Sequence, residues 1–132
     1  MLHDVAWVAG LFEGEGTIVV RENRTKAVYG LELSLASTDE DVVRLFRQVV
    51  GVGKIYGPYK YGENRKPYWK WQSYSGEDGV YVLEALLPYF LSRRATKAVA
   101  AIEAWEQRQL EPHYRRSRKG MGGKPTHRKV TA

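Results

Sequence analysis

Cysteine is absent from the chain, which excludes disulfide cross-links and cysteine-ligated zinc. The three histidines, His3, His113 and His127, have no metal-ligand spacing. Long apolar runs are missing too, so nothing approaches membrane-spanning length, and no signal-peptide pattern follows Met1. These absences lead to the expectation of a soluble, intracellular protein with no membrane partner, in cytoplasm, nucleoid or organelle matrix. Net charge is missing from most of the sequence: acidic and basic residues balance through residue 108, and the whole excess of +6 lies beyond it. There Arg115, Arg116, Arg118, Lys119, Lys124, Arg128 and Lys129 face only Glu111. Such a tail suits a polyanionic partner through counterion release, or it serves solubility alone. Gly120, Gly122, Gly123 and Lys124 do not make a phosphate loop, because their spacing is wrong and no strand precedes them.

The 132 residues suffice for one domain, and they carry a repeated pattern of elements. Apolar periodicity predicts a helix over 4–15, a strand over 17–23, a basic turn, and a strand over 29–37. Thr38, with Asp41 three residues on, reads as a capping box that opens a helix to Val50, ended by the glycines of 51–53. Strands over 54–61 and 68–75 follow, joined by a polar turn over 62–67. Ser75 with Asp78 caps a third helix, and Pro88 interrupts that region. A last helix over 92–109 has Ala95, Ala98, Val99, Ile102 and Trp105 on its packing side. The order α-β-β-α-β-β-α(-α) belongs to the α+β class, with an antiparallel sheet, helices on one face and the other face open to a partner.

Alternation along the strands identifies what the open face carries. Thr17, Val19, Arg21 and Asn23 share one side of the first strand against Ile18, Val20 and Glu22. In the second, Leu31, Leu33 and Leu35 point inward and leave Gly30, Glu32, Ser34 and Ala36 outside, small or polar residues that make room for a large ligand. Lys54, Tyr56 and Lys60 point outward from the third. Trp69 and Trp71 of the fourth point toward the helices, and Tyr68, Lys70, Gln72 and Tyr74 point away. Between residues 54 and 74, Lys54, Lys60, Arg65, Lys66 and Lys70 oppose Glu63 alone and are interleaved with tyrosines and tryptophans. Arg and Lys suit guanine edges, Asn and Gln suit adenine, and a two-stranded ribbon fits the major groove of DNA. The candidate DNA-contacting set is Arg21, Asn23, Glu32, Ser34, Lys54, Tyr56, Lys60, Tyr68, Lys70 and Gln72. The basic turns Arg24, Thr25 and Lys26, and Arg65 and Lys66, would extend it at the outer end. Outward polar residues occur on any half-solvated sheet; the combination is what points to nucleic acid. Glu32 either accepts from cytosine or pairs with a neighbouring lysine.

The densest signal is the run from Trp7 to Gly16. Ala6, Gly10 and Gly14 recur every four residues and form a helix face without bulk, where a second backbone can approach closely. Val5, Val8, Leu11 and Phe12 cover the rest with apolar side chains. The helix then ends in Glu15, and a carboxylate at a helix C-terminus is unfavourably placed unless a cation joins it. Magnesium is such a cation, held by one or two carboxylates, carbonyls and water.

Val8 to Gly16 resembles the nine-residue signature of the LAGLIDADG homing endonucleases. Ala9, Gly10, Leu11 and Gly16 match letter for letter, Glu13 and Glu15 replace two aspartates, Gly14 replaces the central alanine, and Val8 and Phe12 are apolar stand-ins. The resemblance covers about residues 4–108 and implies that family's fold, with a saddle-like sheet, as a single domain over residues 1–108 followed by a basic tail over 109–132, flexible or DNA-contacting. In that family the signature helix packs against a second copy, and its last acid binds catalytic metal. Carried over, Glu15 is the catalytic metal ligand, Gly14 supplies a carbonyl, and Glu13 caps or braces the facing helix. Ala6, Gly10, Glu13 and Gly14 form the dimer interface.

One copy of the motif implies a homodimer in which two Glu15 carboxylates meet, their repulsion relieved by Mg2+ or Mn2+. An eight-residue strand spans about 27 Å, or about eight base pairs per subunit, so the dimer would read a long, nearly palindromic site. The implied activity is hydrolysis of a phosphodiester in each DNA strand, as in intron or intein mobility. Asp39 falls where relatives place a polar residue that organises water, or it is a first-turn acid of the second helix. Arg93, Arg94 and Lys97 fall where relatives carry a catalytic lysine, Arg94 or Lys97 being the candidates, with helix-start solvation or phosphate clamping as the other role. Two readings from other classes remain: an RNA maturase or cleavage-deficient DNA-binding regulator of the same fold, and a basic structural dimer.

Overall fold

Leucine at positions 31, 33 and 35 of the segment Val28–Ser37 buries one face of a strand and leaves the other open. That strand, β2, is central to the fold. The computed structural model describes residues 2–110, with side chains from Asp4 onward. His113, His127 and the tail from residue 111, expected to be flexible or to contact DNA, lie outside the described residues. The elements are α1 (Leu2–Glu15), β1 (Gly16–Glu22), β2, α2 (Glu40–Val50), β3 (Lys54–Tyr59), β4 (Tyr68–Ser73), α3 (Gly76–Leu86), a 3-10 turn (Leu87–Tyr89) and α4 (Ser92–Gln109). The strands form one antiparallel sheet in the order β1-β2-β4-β3. The expected α+β architecture is therefore present. No helix among the described residues is long and apolar enough to cross a membrane.

The core lies between the sheet and the helices. Ile18, Leu31, Leu33, Leu35 and Trp71 pack from the strands against Val8 and Phe12 of α1, Val43 and Phe46 of α2, Leu83 and Leu86 of α3, and Ala98 and Ile102 of α4. Trp71 is fully buried, sits edge-on to Phe46 at 4.8 Å and donates its indole N–H to the Val52 carbonyl at 2.8 Å. The aromatic ring is thus buried with its one polar atom satisfied. α2 ends as expected at Gly51, whose φ of 81° is the left-handed conformation that favours glycine.

Several boundaries differ from expectation. α2 begins at Glu40, with Asp39 rather than Thr38 at the capping position, and Asp39 makes no side-chain cap. Instead Ser37 Oγ accepts the Asp39 N–H at 3.0 Å, while Glu40 and Asp41 place negative charge in the first helical turn. β3 stops at Tyr59 rather than residue 61, because its last partner, Tyr68, is the first residue of β4; within it the ladder is interrupted between Tyr56 and Tyr59, where Pro58 has no N–H to donate. β4 stops at Ser73 because Ser75 serves as the cap of α3. Val99 is 39 % exposed rather than packed, and Ala101 takes the core position.

The Ser75 cap forms as read, its hydroxyl accepting the Asp78 N–H at 3.2 Å. Ser75→Ala leaves that amide without its partner and is expected to cost about 1 kcal/mol, measurable as a lower urea midpoint at unchanged slope.

The register fixes which loops share an end of the sheet. Gly16 lies opposite Leu35, Ser37 opposite Trp69, and Tyr68 opposite Tyr59. The C-terminus of α1, the end of β2 and the β3–β4 loop therefore meet at one end. The β1–β2 turn lies at the other.

Candidate functional site

α1 carries two kinds of surface. Val8, Ala9 and Phe12 are fully buried, whereas Ala6, Gly10 and Gly14 are all exposed, and a Cβ added at either glycine would meet nothing within 4 Å. Trp7 is 42 % exposed beside them. The small-residue face thus stays open in the single chain.

The C-terminus of α1 is held rigidly. Phe12 lies between Phe46 and Phe90, with ring centroids 6.1 Å away on each side, and the Arg94 guanidinium sits 5.4 Å over its ring. Arg94 also donates to the Glu13 carbonyl at 2.9 Å, supplying positive charge and a donor to one of the carbonyls a helix end leaves unsatisfied. Glu13 Oε1 in turn accepts the Leu91 N–H at 3.0 Å, at the start of α4. Glu13 braces a helix of its own chain through its carboxylate, because the 3-10 turn brings Leu91 against α1. Arg94 ties that same junction together, so its guanidinium is already committed to structure. Lys97, one turn further along α4, is exposed. None of Arg93, Arg94 and Lys97 lines the clefts described next.

Glu15 is exposed and, among the described residues, takes no hydrogen bond or ion pair. It lies where two adjoining clefts meet. One, of about 820 Å3, is lined by Leu11, Glu15, Thr38, Asp39, Tyr61, Asn64, Arg65, Lys66 and Tyr68, among others. The other, of about 440 Å3, runs along the outer sheet face past Glu15, Thr17, Arg21, Glu32, Ser34, Lys70 and Gln72. Asp39 thus shares a cleft with Glu15 in addition to standing at the start of α2. Lys54 lies opposite Gln72 and Tyr56 opposite Lys70, which extends the polar outer face across to β3.

The expected base-reading residues divide in two. Arg65 and Lys66 line the same cleft as Glu15, not the outer end of the sheet, since the antiparallel register returns the β3–β4 loop to the end where α1 stops. Arg24, Thr25 and Lys26 occupy the far turn. Asn23 leaves the strand there, after a register shift between Arg21 and Glu22. Its side-chain oxygen accepts from Thr25 N, Thr25 Oγ1 and Ala27 N at 2.7–3.0 Å, which makes it an organiser of the turn. Glu32 pairs with Arg21 at 3.0 Å, rather than with a lysine. That hydrogen bond, and then the carboxylate's charge, hold the Arg21 pKa above its ordinary value. Lys60 bonds the Glu63 carbonyl within its own loop at 3.4 Å.

Tyr61 and Asn64 complete the larger cleft and were not among the expected contacts. Tyr61 sits on Tyr68 at 5.1 Å with the rings 18° apart, and Tyr59 approaches the opposite neighbour Tyr68 at 5.5 Å. The hydrogen bond with Tyr61, followed by desolvation, pushes the Tyr68 hydroxyl pKa above its ordinary value.

Among the described residues no three His, Cys, Asp or Glu side chains cluster to hold a metal ion. Glu15 offers one unpartnered carboxylate at the negative end of the α1 dipole, next to the last carbonyls of the helix. That donor set does not build an all-protein cage. It does fit magnesium, which is commonly held by one or two carboxylates together with substrate phosphate and water.

No protein-family model matches the chain, and no curated protein matches it. Solved structures do. The homing endonuclease I-CvuI, in complex with a DNA target in the presence of magnesium with the DNA not cleaved, superposes with a TM-score of 0.61 at 21% identity over 83% of this chain and 72% of that one. The group I intron-encoded homing endonuclease I-CeuI, complexed with DNA, gives 0.59 at 16% identity over 81% of this chain and 57% of that one. The LAGLIDADG meganuclease I-AabMI, bound to uncleaved DNA, gives 0.61 at 15% identity, covering 80% of this chain and 38% of that one.

Proposed function

We propose that this chain, which has the fold of the LAGLIDADG homing endonucleases, is a divalent-metal-dependent, site-specific DNA endonuclease that works as a homodimer on a long, nearly palindromic site. The observation that carries this reading is the position of Glu15. An unpartnered carboxylate stands where the polar outer face of the sheet meets a cleft containing Arg65 and Lys66, so one duplex lying on the sheet would bring a phosphodiester to it. I-CvuI, I-CeuI and I-AabMI, similar in fold at 15–21% identity, are each in complex with DNA, which supports DNA as the ligand.

Each chain residue then has a task. Arg21, Glu32, Ser34, Lys54, Tyr56, Lys70 and Gln72 present donors and acceptors to base edges. Arg24, Lys26, Arg65 and Lys66 neutralise phosphates, the last two beside the scissile bond. Glu15 and the Gly14 carbonyl would hold Mg2+ or Mn2+, which would supply water activation and charge stabilisation at the leaving oxygen. Asp39 orients the attacking water, and the cation near the reacting phosphate is Arg94 or Lys97, neither of which lines the clefts of the single chain. Ala6, Gly10 and Gly14 form the seam with the second copy, placing two Glu15 carboxylates side by side. The body of the enzyme is residues 1–108, and the basic segment 109–132 adds phosphate contacts.

Selection from a randomised, partially palindromic duplex library tests this. With magnesium, discrete cut ends related by a twofold axis are expected, and with calcium, enriched binding without cutting. Enrichment with no cut ends under any metal would replace the reading by a DNA-binding regulator. No enrichment at all would move RNA to the front, as for a maturase.

A further inference from the structure

Tyr61 is 80 % exposed, far more than a tyrosine in a strand face or core would be. It is nonetheless held. One face of its ring rests on Tyr68, itself in contact with Tyr59, and the loop that follows closes on itself through the Arg65 N–H bond to the Gly62 carbonyl at 3.2 Å. The other face is open. An aromatic ring fixed in plane, open on one side and bordered by cations is the arrangement that takes an unpaired base, whose own face is free. A base inside a duplex is already stacked on both sides and cannot use it. The polar side chains on the outer sheet face recognise edges and phosphates, so the tyrosine column offers a different kind of contact.

We infer that Tyr61 is a stacking platform for an unpaired nucleotide of a DNA strand, the base lying on its open face and the flanking phosphates on Arg65 and Lys66. Charge complementarity favours this occupant: the loop's two cations line the same cleft as the ring, and among the described residues neither side chain is in an ion pair. Tyr61 lines the same cleft as Glu15 and Asp39, so the unpaired nucleotide would lie in the cleft that contains the proposed metal ligand. The inference rests on the nucleic-acid reading above and names a recognition element that reading does not contain.

A duplex carrying one unpaired 2-aminopurine overhang, compared at low salt with the blunt duplex of the same sequence, provides the test. Stacking quenches the fluorescence of this base. Wild-type protein is expected to quench it and to bind the overhang about tenfold more tightly than the blunt duplex. Tyr61→Ala loses both effects, and Tyr61→Phe, which keeps the ring, retains them. Because Tyr61 is outside the core, circular dichroism of the variants should match wild type. Equal quenching by Tyr61→Ala, or tight blunt-duplex binding with no preference for the overhang, overturns the platform alone. An effect seen with a ribonucleotide overhang and not with DNA overturns it as well. Absence of binding to either duplex overturns both the platform and the nucleic-acid reading.

Discussion

Glu15→Gln is expected to abolish DNA cutting while leaving DNA affinity intact. The substitution keeps the shape of the side chain and removes its charge. The carboxylate stabilises no part of the folded chain, since among the described residues it takes no hydrogen bond or ion pair, and it stands at the negative end of α1, where removing negative charge relieves repulsion. Folding should therefore be unaffected or slightly improved. Affinity for DNA should hold or rise a little, because a negative group leaves the phosphate-binding cleft. Cutting should fall by about a thousandfold or more, because under the proposed function the site loses its charged metal ligand and metal assistance is worth several kcal/mol of barrier. Nicking time courses in magnesium, paired with gel shifts in calcium, separate the two quantities. A variant that still cuts at a tenth of the wild-type rate would remove Glu15 from the site. One that neither cuts nor binds would make it a structural residue.

Elements governed by neighbours in sequence could be read directly from the residues. α4 has the expected limits because Pro88 and the apolar spacing of Ala98 and Ile102 act locally, and the Ser75 cap depends on an amide three residues away. The second helix shows where such reading fails. Thr38 and Asp41 have capping-box character, yet a backbone kept extended through Asp39 by the Ser37 hydroxyl moves the start of the helix on by one residue. Val99 falls at the edge of the apolar stripe, and only the packing of α4 against the sheet decides that Ala101 is inside and Val99 is not.

The placement of the candidate residues was legible by face more than by end of the sheet. Alternation put Arg21, Ser34, Lys70 and Gln72 on one face, and they do line one cleft. Which end of the sheet receives each basic turn depends on strand order and register. Those are long-range properties, so Arg65 and Lys66 appear in the same cleft as Glu15 instead of remote from it. The fates of Glu13 and Arg94 were equally hidden, being set by a contact between residues 13 and 91–94 that no local pattern records. Tyr61 lay at the end of a segment read as a strand, where a tyrosine attracts no notice. Its significance comes from the loop that stacks it on Tyr68.

That same junction makes Phe12 the residue on which the position of Glu15 depends, and Phe12→Ala is expected to cost about 3–5 kcal/mol. The ring is fully buried between Phe46 and Phe90, beneath the Arg94 guanidinium. It also fills the space beside Gly16, where any Cβ would fall into the ring. The final glycine of the signature is therefore required by packing: it lets the chain turn from α1 into β1 while touching an aromatic side chain. Removing the ring leaves a cavity between Phe46 and Phe90 and deprives Arg94 of its stacking surface. Since a domain of this size is stable by about 5–15 kcal/mol, the loss should bring urea unfolding close to native conditions. Phe12→Leu retains most of the buried volume and should cost about half as much. The order Ala, Leu, Phe in unfolding midpoints checks the argument, and a cost below about 1 kcal/mol for Phe12→Ala would show that α1 is held to the sheet by other contacts. At temperatures where Phe12→Leu remains folded, its cutting rate should fall further than its DNA affinity, because the ring sets the seat of Glu15 while the outer sheet face, built from β1 to β4, stands without it.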